Sequence, residues 1–177
     1  MIYITLLFSL NRFIFPIQIS IMKTFLVFCL TFLTMYLSAQ PEMHTRPTED
    51  QKDVIKVIQL LFDGMRKGDS TLVRICFHRE AQLHTTFFND KGEAVLREES
   101  VERFIQAVGT PHEEIWDERF ESIDVKVDDN LAVAWVPFVF HLGETPLHQG
   151  VNAFQLVKTN EGWKIIQLTD TRRKMVN

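Results

Sequence analysis

Between Asp50 and Lys67 the apolar residues Val54, Ile55, Val57, Ile58, Leu61, Phe62 and Met65 recur at spacings of three and four. That period is the turn of an α-helix, and it predicts an amphipathic helix about 27 Å long at about 1.5 Å per residue. Gly68 supplies a stop, and Asp69 is placed to cap a second, shorter helix through Leu72, Val73, Cys76 and Phe77. The period then drops to two: Ala81 to Phe88 reads as a strand, Asn89 to Gly92 as a turn and Glu93 to Leu96 as a short returning strand. Ser100 caps a third helix with Val101, Phe104, Ile105 and Val108 on one side, and Gly109 and Pro111 end it.

From Glu118 onward the pattern is strand alone. Glu118 to Val127, carrying Phe120, Ile123, Val125 and Val127, is expected as one strand that turns at Asp128-Asp129-Asn130. Leu131 to Leu142 is apolar at both parities, which predicts a strand packed on both faces with Trp135 in the core. Pro137 cannot donate to a ladder and predicts a bulge or bend there. A turn around Gly143 to Pro146 leads into His148 to Lys158, and Asn160-Glu161-Gly162 leads into Trp163 to Asp170, with Trp163 a core cap on the sheet. Short connections make these neighbours antiparallel. Helices first and a meander after is the order of an α+β domain, with helices covering one face of a curved antiparallel sheet.

The amino-terminal stretch has a different character. Residues 1–39 carry only Arg12 and Lys23 as charges and no acids. Met22-Lys23, the apolar run Thr24 to Leu37 and the closing Ser38-Ala39-Gln40 form a secretory signal with cleavage expected near Ala39, and Met22 is the expected start of translation. The alternative is a retained membrane anchor over Met1 to Leu37, which Asn11-Arg12 and Pro16 interrupt. Residues 40–49 read as a flexible lead-in, and 50–174 as one domain without internal repeats. The chain is thus expected to be exported, periplasmic or secreted, and free of the membrane once the signal is removed.

Composition narrows the function. Beyond the signal, 17 basic residues face 23 acidic ones, a net charge of −6 with no basic stripe, which excludes nucleic acid as a partner. Cys76 is then the single cysteine, so no internal disulfide forms and stability rests on packing. The six histidines match no metal-ligand spacing, and neither a metal nor a cofactor is expected.

The helical hairpin with Lys67-Gly-Asp69, the strand Ala81-Gln-Leu-His84, the third helix, Val133-Ala-Trp135, Gly150-Val-Asn-Ala-Phe-Gln-Leu156 and Gly162-Trp-Lys-Ile-Ile166 resemble, in that order, the nuclear transport factor 2-like superfamily. Within it the chain is most similar to exported SnoaL-like and lumazine-binding bacterial proteins. The resemblance spans about Asp50 to Arg173 and implies a cone-shaped α+β fold, cystatin-like, in which the curved sheet wraps around three amino-terminal helices. The superfamily includes a ketosteroid isomerase whose apolar cavity tunes two carboxyls. Carried onto this chain, its tyrosine falls on Leu61, its base on Thr85 and its second acid on Asn152, and all three depart from the isomerase pattern. Leucine has no donor, threonine is too weak a base for carbon acids, and an amide holds no transferable proton.

The candidate ligand-binding residues are Asn152, His84, Trp116, Thr85, Phe154 and Asp170. On the resemblance Asn152 points into the cone, where an unpaired amide is costly, so it binds either a ligand or a neighbour. His84 lies on the first strand, as a cavity residue or a hydrogen-bonded structural one. Trp116 offers a face for a flat ligand. Arg172 is either a solvated terminal charge or a salt bridge to Asp117 or Glu118 that closes the cone. Three readings follow: a non-catalytic module with a mostly apolar pocket for a small, planar molecule; a SnoaL-like isomerase, dehydratase or cyclase using His84 or Asp170 as general base; and a homodimer through a sheet face bearing Phe138 and Phe140.

Overall fold

The computed structural model describes residues 47–175, so the expected signal and most of the lead-in lie outside the described residues. Three helices, α1 (Glu49–Lys67), α2 (Ser70–Cys76) and α3 (Val101–Gly109), pack against one sheet. Its strands are β1 (Phe77–Phe88), β2 (Ala94–Glu99), β3 (Trp116–Phe120), β4 (Asp124–Asp128), β5 (Leu131–Leu142), β6 (Thr145–Thr159), β7 (Gly162–Thr171) and β8 (Arg173–Lys174). The order across the sheet is β2-β1-β7-β6-β5-β3, with β4 also on β5 and β8 also on β6. The sheet is large, curved and open, and the fold class is the α+β arrangement expected.

Local chemistry explains the helices. At the start of α1, Thr48 and Gln51 cap each other: the Thr48 hydroxyl accepts from the Gln51 backbone N–H, and the Gln51 side chain accepts from the Thr48 N–H. Gly68 ends the helix at φ 65°, a left-handed conformation that a side chain resists. The Asp69 carboxylate then accepts from the N–H groups of Thr71 and Leu72 and starts α2. One stripe of α1, with Val54, Ile58, Leu61, Phe62 and Met65, is buried against Phe154, Leu156, Trp163 and Ile165 of the sheet. Complete burial of each such side chain contributes about 1.5–3 kcal/mol.

Four expectations about the sheet need correction. It is mixed and not wholly antiparallel, because β1 pairs with β7 in parallel while every other pairing is antiparallel. The run Glu118–Val127 is two strands, β3 and β4, interrupted at Glu121 to Ile123, and both pair with the same edge of β5. β5 is buried on one face only: Ala132, Ala134, Val136 and Phe138 point inward, whereas Leu131, Val133 and Trp135 are exposed, Trp135 by 55%. Phe138 is therefore buried and Phe140 half-buried, so neither forms an exposed sheet face.

The fourth correction concerns Pro137, which sits in regular register opposite Val151. It lies where β4 has ended at Trp135 and β3 begins at Phe138, so the missing N–H falls at the change of partner along that edge. The irregularities lie elsewhere, between Phe140 and His141 in β5, between Gln155 and Leu156 where β6 meets β7, and between Phe77 and Gln82 of β1.

Candidate functional site

The break in the β6–β7 ladder decides which side chains meet. Along β7, Trp163 and Ile165 are buried, and an unbroken alternation would send Gln167 and Thr169 inward after them. Gln155 pairs with Gln167 but Leu156 with Ile165, so β7 has one extra residue, Ile166, at this point. That bulge reverses the parity, and Leu168 and Asp170 become the buried residues instead. Asp170 then stands beside Thr85 on the parallel neighbour β1 and beside Asn152 on the antiparallel neighbour β6. Thr85, Asp170 and Asn152 form one buried row across three strands, with exposures of 2%, 7% and 2%.

This row lines a cavity of about 40 Å³ between the sheet and the helices. Leu61, Phe62 and Met65 of α1, Phe104 of α3, and Leu83 and Leu168 of the sheet form its apolar wall. Thr85, Glu99, Glu118, Asn152, Asp170 and Arg172 complete the lining, so polar groups are gathered on one side of a cavity whose surface is mostly apolar, as expected. At about 10–15 Å³ for each water, the cavity holds roughly three water molecules.

Glu118 comes from β3. Its neighbours on the same face, Trp116 and Phe120, pack against the core, so the alternation of the strand carries the carboxyl inward. The Asn152 amide donates to Glu118 Oε2 at 2.8 Å. Burial raises the Glu118 carboxyl from its ordinary 4.5 to about 7; the Asn152 hydrogen bond and the Arg172 charge oppose that rise, and the negative charge of Asp170 adds to it. Near neutrality this carboxyl exchanges its proton, a property suited to general acid–base work.

Asp170 is held differently. Its Oδ2 accepts from Arg172 Nε at 2.7 Å, while its Oδ1 is buried without a hydrogen-bond partner. Of the two readings of Arg172, a solvated charge or a salt bridge to Asp117 or Glu118, neither describes it fully: the side chain is partly exposed and pairs with Asp170, two residues before it in the chain. Asp117 is instead clamped between Arg66 Nε and Arg119 Nε, each at 2.7 Å. His148, stacked on Phe140 with ring centroids 5.0 Å apart, borders the same region, and its pKa is lowered by burial and by the Arg172 charge.

The structure brings three of the six sequence candidates, Thr85, Asn152 and Asp170, to the cavity, and Leu61 with them. His84 projects from the opposite face of β1, where the Gln167 side chain hydrogen-bonds it at 2.9 Å. Trp116 stacks on His112 with centroids 4.0 Å apart and packs edge-on to Phe140. Phe154 is a fully buried core residue set edge-on to Phe62. Glu99, Glu118 and Arg172 are the polar lining residues that sequence reasoning did not select for ligand binding. The signal for Glu118 was available in Trp116-Asp-Glu-Arg-Phe120, where aromatics two positions either side place the acid on an apolar face. Among the described residues no group of three His, Cys, Asp or Glu side chains is arranged to hold a metal.

Residues 49–169 match the model of the family described as "putative lumazine-binding". The chain belongs to this family. Solved structures place it in the nuclear transport factor 2-like, cystatin-like fold. One from Novosphingobium aromaticivorans, a nuclear transport factor 2-like protein with a cystatin-like fold, has a TM-score of 0.58 at 11% identity, covering 70% of this chain and 82% of its own. A nuclear transport factor 2-like protein of unknown function from Shewanella baltica has a TM-score of 0.52 at 16% identity, covering 72% and 98%. A third, from Streptomyces avermitilis, is named a "putative dehydratase" and has a TM-score of 0.51 at 12% identity, covering 72% and 98%. No curated protein matches the chain.

Proposed function

We propose that this protein is a small-molecule-binding module whose ligand enters the cavity beneath α1 and α3 and is anchored on Asp170 and Asn152. The observation that carries this reading is Asp170 Oδ1, a buried carboxylate oxygen with no partner inside the protein. Such an atom costs about 1–3 kcal/mol or more when left unpaired, a cost that a ligand's N–H or O–H offsets. The family's description supports a small ligand in general terms. A bicyclic lumazine ring exceeds a cavity of about 40 Å³, so the occupant is a smaller molecule or the head of a longer one. Native mass spectrometry of protein purified without added ligand tests this. A co-purifying small molecule that is absent from Asp170→Asn supports the reading, and an empty protein that binds nothing from a metabolite mixture overturns it.

A second reading, acid–base catalysis, is favoured by the Glu118 carboxyl, which sits near neutrality inside the cavity. Here Glu118 takes the role of general base in place of His84, which faces away, while Asp170 is engaged by Arg172. Once a turnover assay exists, Glu118→Gln should abolish the reaction even at saturating substrate; undiminished turnover would remove this reading.

We further propose that residues 1–39 direct export and are cleaved near Ala39, on the charge and hydropathy pattern described above. Intact-mass measurement of the protein recovered outside the cytoplasm should give a chain beginning at Gln40; a chain that keeps residues 24–39 contradicts cleavage.

A further inference from the structure

The charges around the cavity do not balance. Glu118 and Asp170 project into it from β3 and β7, and Glu99 adds a third carboxylate from the end of β2. The lining cation is Arg172, whose Nε is already committed to Asp170 Oδ2. Neighbouring His148 carries a pKa below its ordinary value and adds no positive charge at neutral pH. The helices contribute Leu61, Phe62, Met65 and Phe104, which are apolar. Glu118 therefore has an amide donor but no salt bridge of its own, feeling Arg172 only through its charge, and Asp170 keeps one oxygen free. An anionic ligand would meet carboxylates in a poorly solvated space, where like-charge repulsion is strong. A cation with two or more N–H donors supplies what both acids lack.

We propose that the ligand of this cavity is a compact organic cation, an ammonium or amidinium head, whose N–H groups bridge Asp170 Oδ1 and the Glu118 carboxyl. Size points the same way, because a space for roughly three waters takes a head group of a few heavy atoms. Any longer tail leaves past Arg172 and Glu99, which are exposed at the mouth. The inference rests on the binding reading above and specifies its chemistry. Binding a cation beside Glu118 also draws that carboxyl towards its ionised form, so at neutral pH the cation displaces a proton into the buffer.

Three probes of nearly equal shape separate charge from fit: acetamidinium, acetamide and acetate. In an NMR titration of the purified protein, acetamidinium should shift the Asn152 side-chain amide resonances saturably, with acetamide weaker by about tenfold or more and acetate without effect. Calorimetry at pH 7 in two buffers of different ionisation enthalpy should show proton release for acetamidinium. Asp170→Asn should weaken acetamidinium by about tenfold or more at an unchanged fold, and Glu118→Gln should abolish the proton release. Acetate or acetamide binding as tightly as acetamidinium would overturn the cation and leave the binding site standing. If none of the three moves Asn152, the cation proposal falls, and the binding reading is decided separately by what co-purifies with the protein.

Discussion

Asn152 on β6 donates to Glu118 on β3 at 2.8 Å, although β5 lies between the two strands. Asn152 stands opposite Val136, and Glu118 opposite Phe140, four residues further along β5. In a flat sheet this offset, with two strand spacings of about 4.8 Å and about 3.4 Å per residue, sets the two backbones roughly 17 Å apart. That is further than the two side chains and a hydrogen bond reach. Curling of the sheet closes the gap and, with it, one end of the cavity. The bond is thus a property of the curvature, and the chemistry at Glu118 depends on it.

Stability should report the state of Glu118 directly. The folded carboxyl is raised to about 7 from an ordinary 4.5, so between these values the native state holds a proton that the unfolded chain has lost. Its contribution is complete below about pH 4.5 and is lost as pH rises through about 7, a fall of about 3 kcal/mol. His148 acts in the opposite sense, because its folded pKa is lowered and its contribution is lost as pH falls. Urea denaturation of wild type and Glu118→Gln at pH 4.5, 6 and 8 separates them: the difference in unfolding free energy should move in favour of the variant as pH rises. A difference that stays constant with pH would show that Glu118 titrates normally.

Much of this fold was legible in the chain, and the parts that were not share a physical cause. The period of Val54 to Met65, the cap at Asp69 and the turn at Asn160-Glu161-Gly162 are local signals, and local hydrogen bonding fixes them. The face that a strand presents is also local until a bulge intervenes, and Ile166 is such a residue: nothing in Trp163 to Asp170 by itself marks where the alternation reverses. Asp170 and Asn152 could be selected as candidates, but their meeting with Glu118 depends on sheet curvature. β5 misled for another reason. Its outer residues Leu131, Val133 and Trp135 are apolar yet exposed, so hydrophobicity at both parities did not mean burial at both.

The three tryptophans provide an optical check on that correction. Trp163 is 4% exposed, with its indole N–H 3.3 Å from Asp50 Oδ1, whereas Trp135 is 55% exposed on the outer face of β5. Iodide should quench a red-shifted component that Trp135→Phe removes, and Trp163→Phe should instead remove blue-shifted, protected emission. Equal protection of Trp135 and Trp163 would mean that the outer face is covered in solution.

Gly150 has a structural duty that no other residue type can fill. A Cβ at this position would collide with the Thr171 carbonyl and lie 2.9 Å from the Phe138 ring. The Thr171 backbone passes close here just before Arg172, whose Nε reaches Asp170. Gly150→Ala should therefore cost about 1–3 kcal/mol, shift the Arg172–Asp170 pair and lower the melting temperature. An alanine variant with wild-type stability would show that β6 and the Thr171 segment have room to part.

Asp117 gives the clearest test of an ion pair that holds elements together. Its carboxylate, 7% exposed, ties β3 to α1 through Arg66 and is also held by Arg119 two residues along its own strand, and each arginine keeps nearly half of its side-chain surface in water. Burial works to raise this carboxyl, but the hydrogen bonds and charges of Arg119 and Arg66 outweigh it and hold the pKa below the ordinary 3.8. By linkage its stabilisation is present above that value and is lost as pH falls through the lowered one, opposite in sign to Glu118. Asp117→Asn keeps the shape and removes the charge. Because both arginines can turn to solvent, the loss should be about 1–3 kcal/mol at pH 7 and should shrink towards zero near pH 2, measured by thermal or urea unfolding. A loss that persists undiminished in acid would mean that Asp117 contributes by its packing and not by its charge.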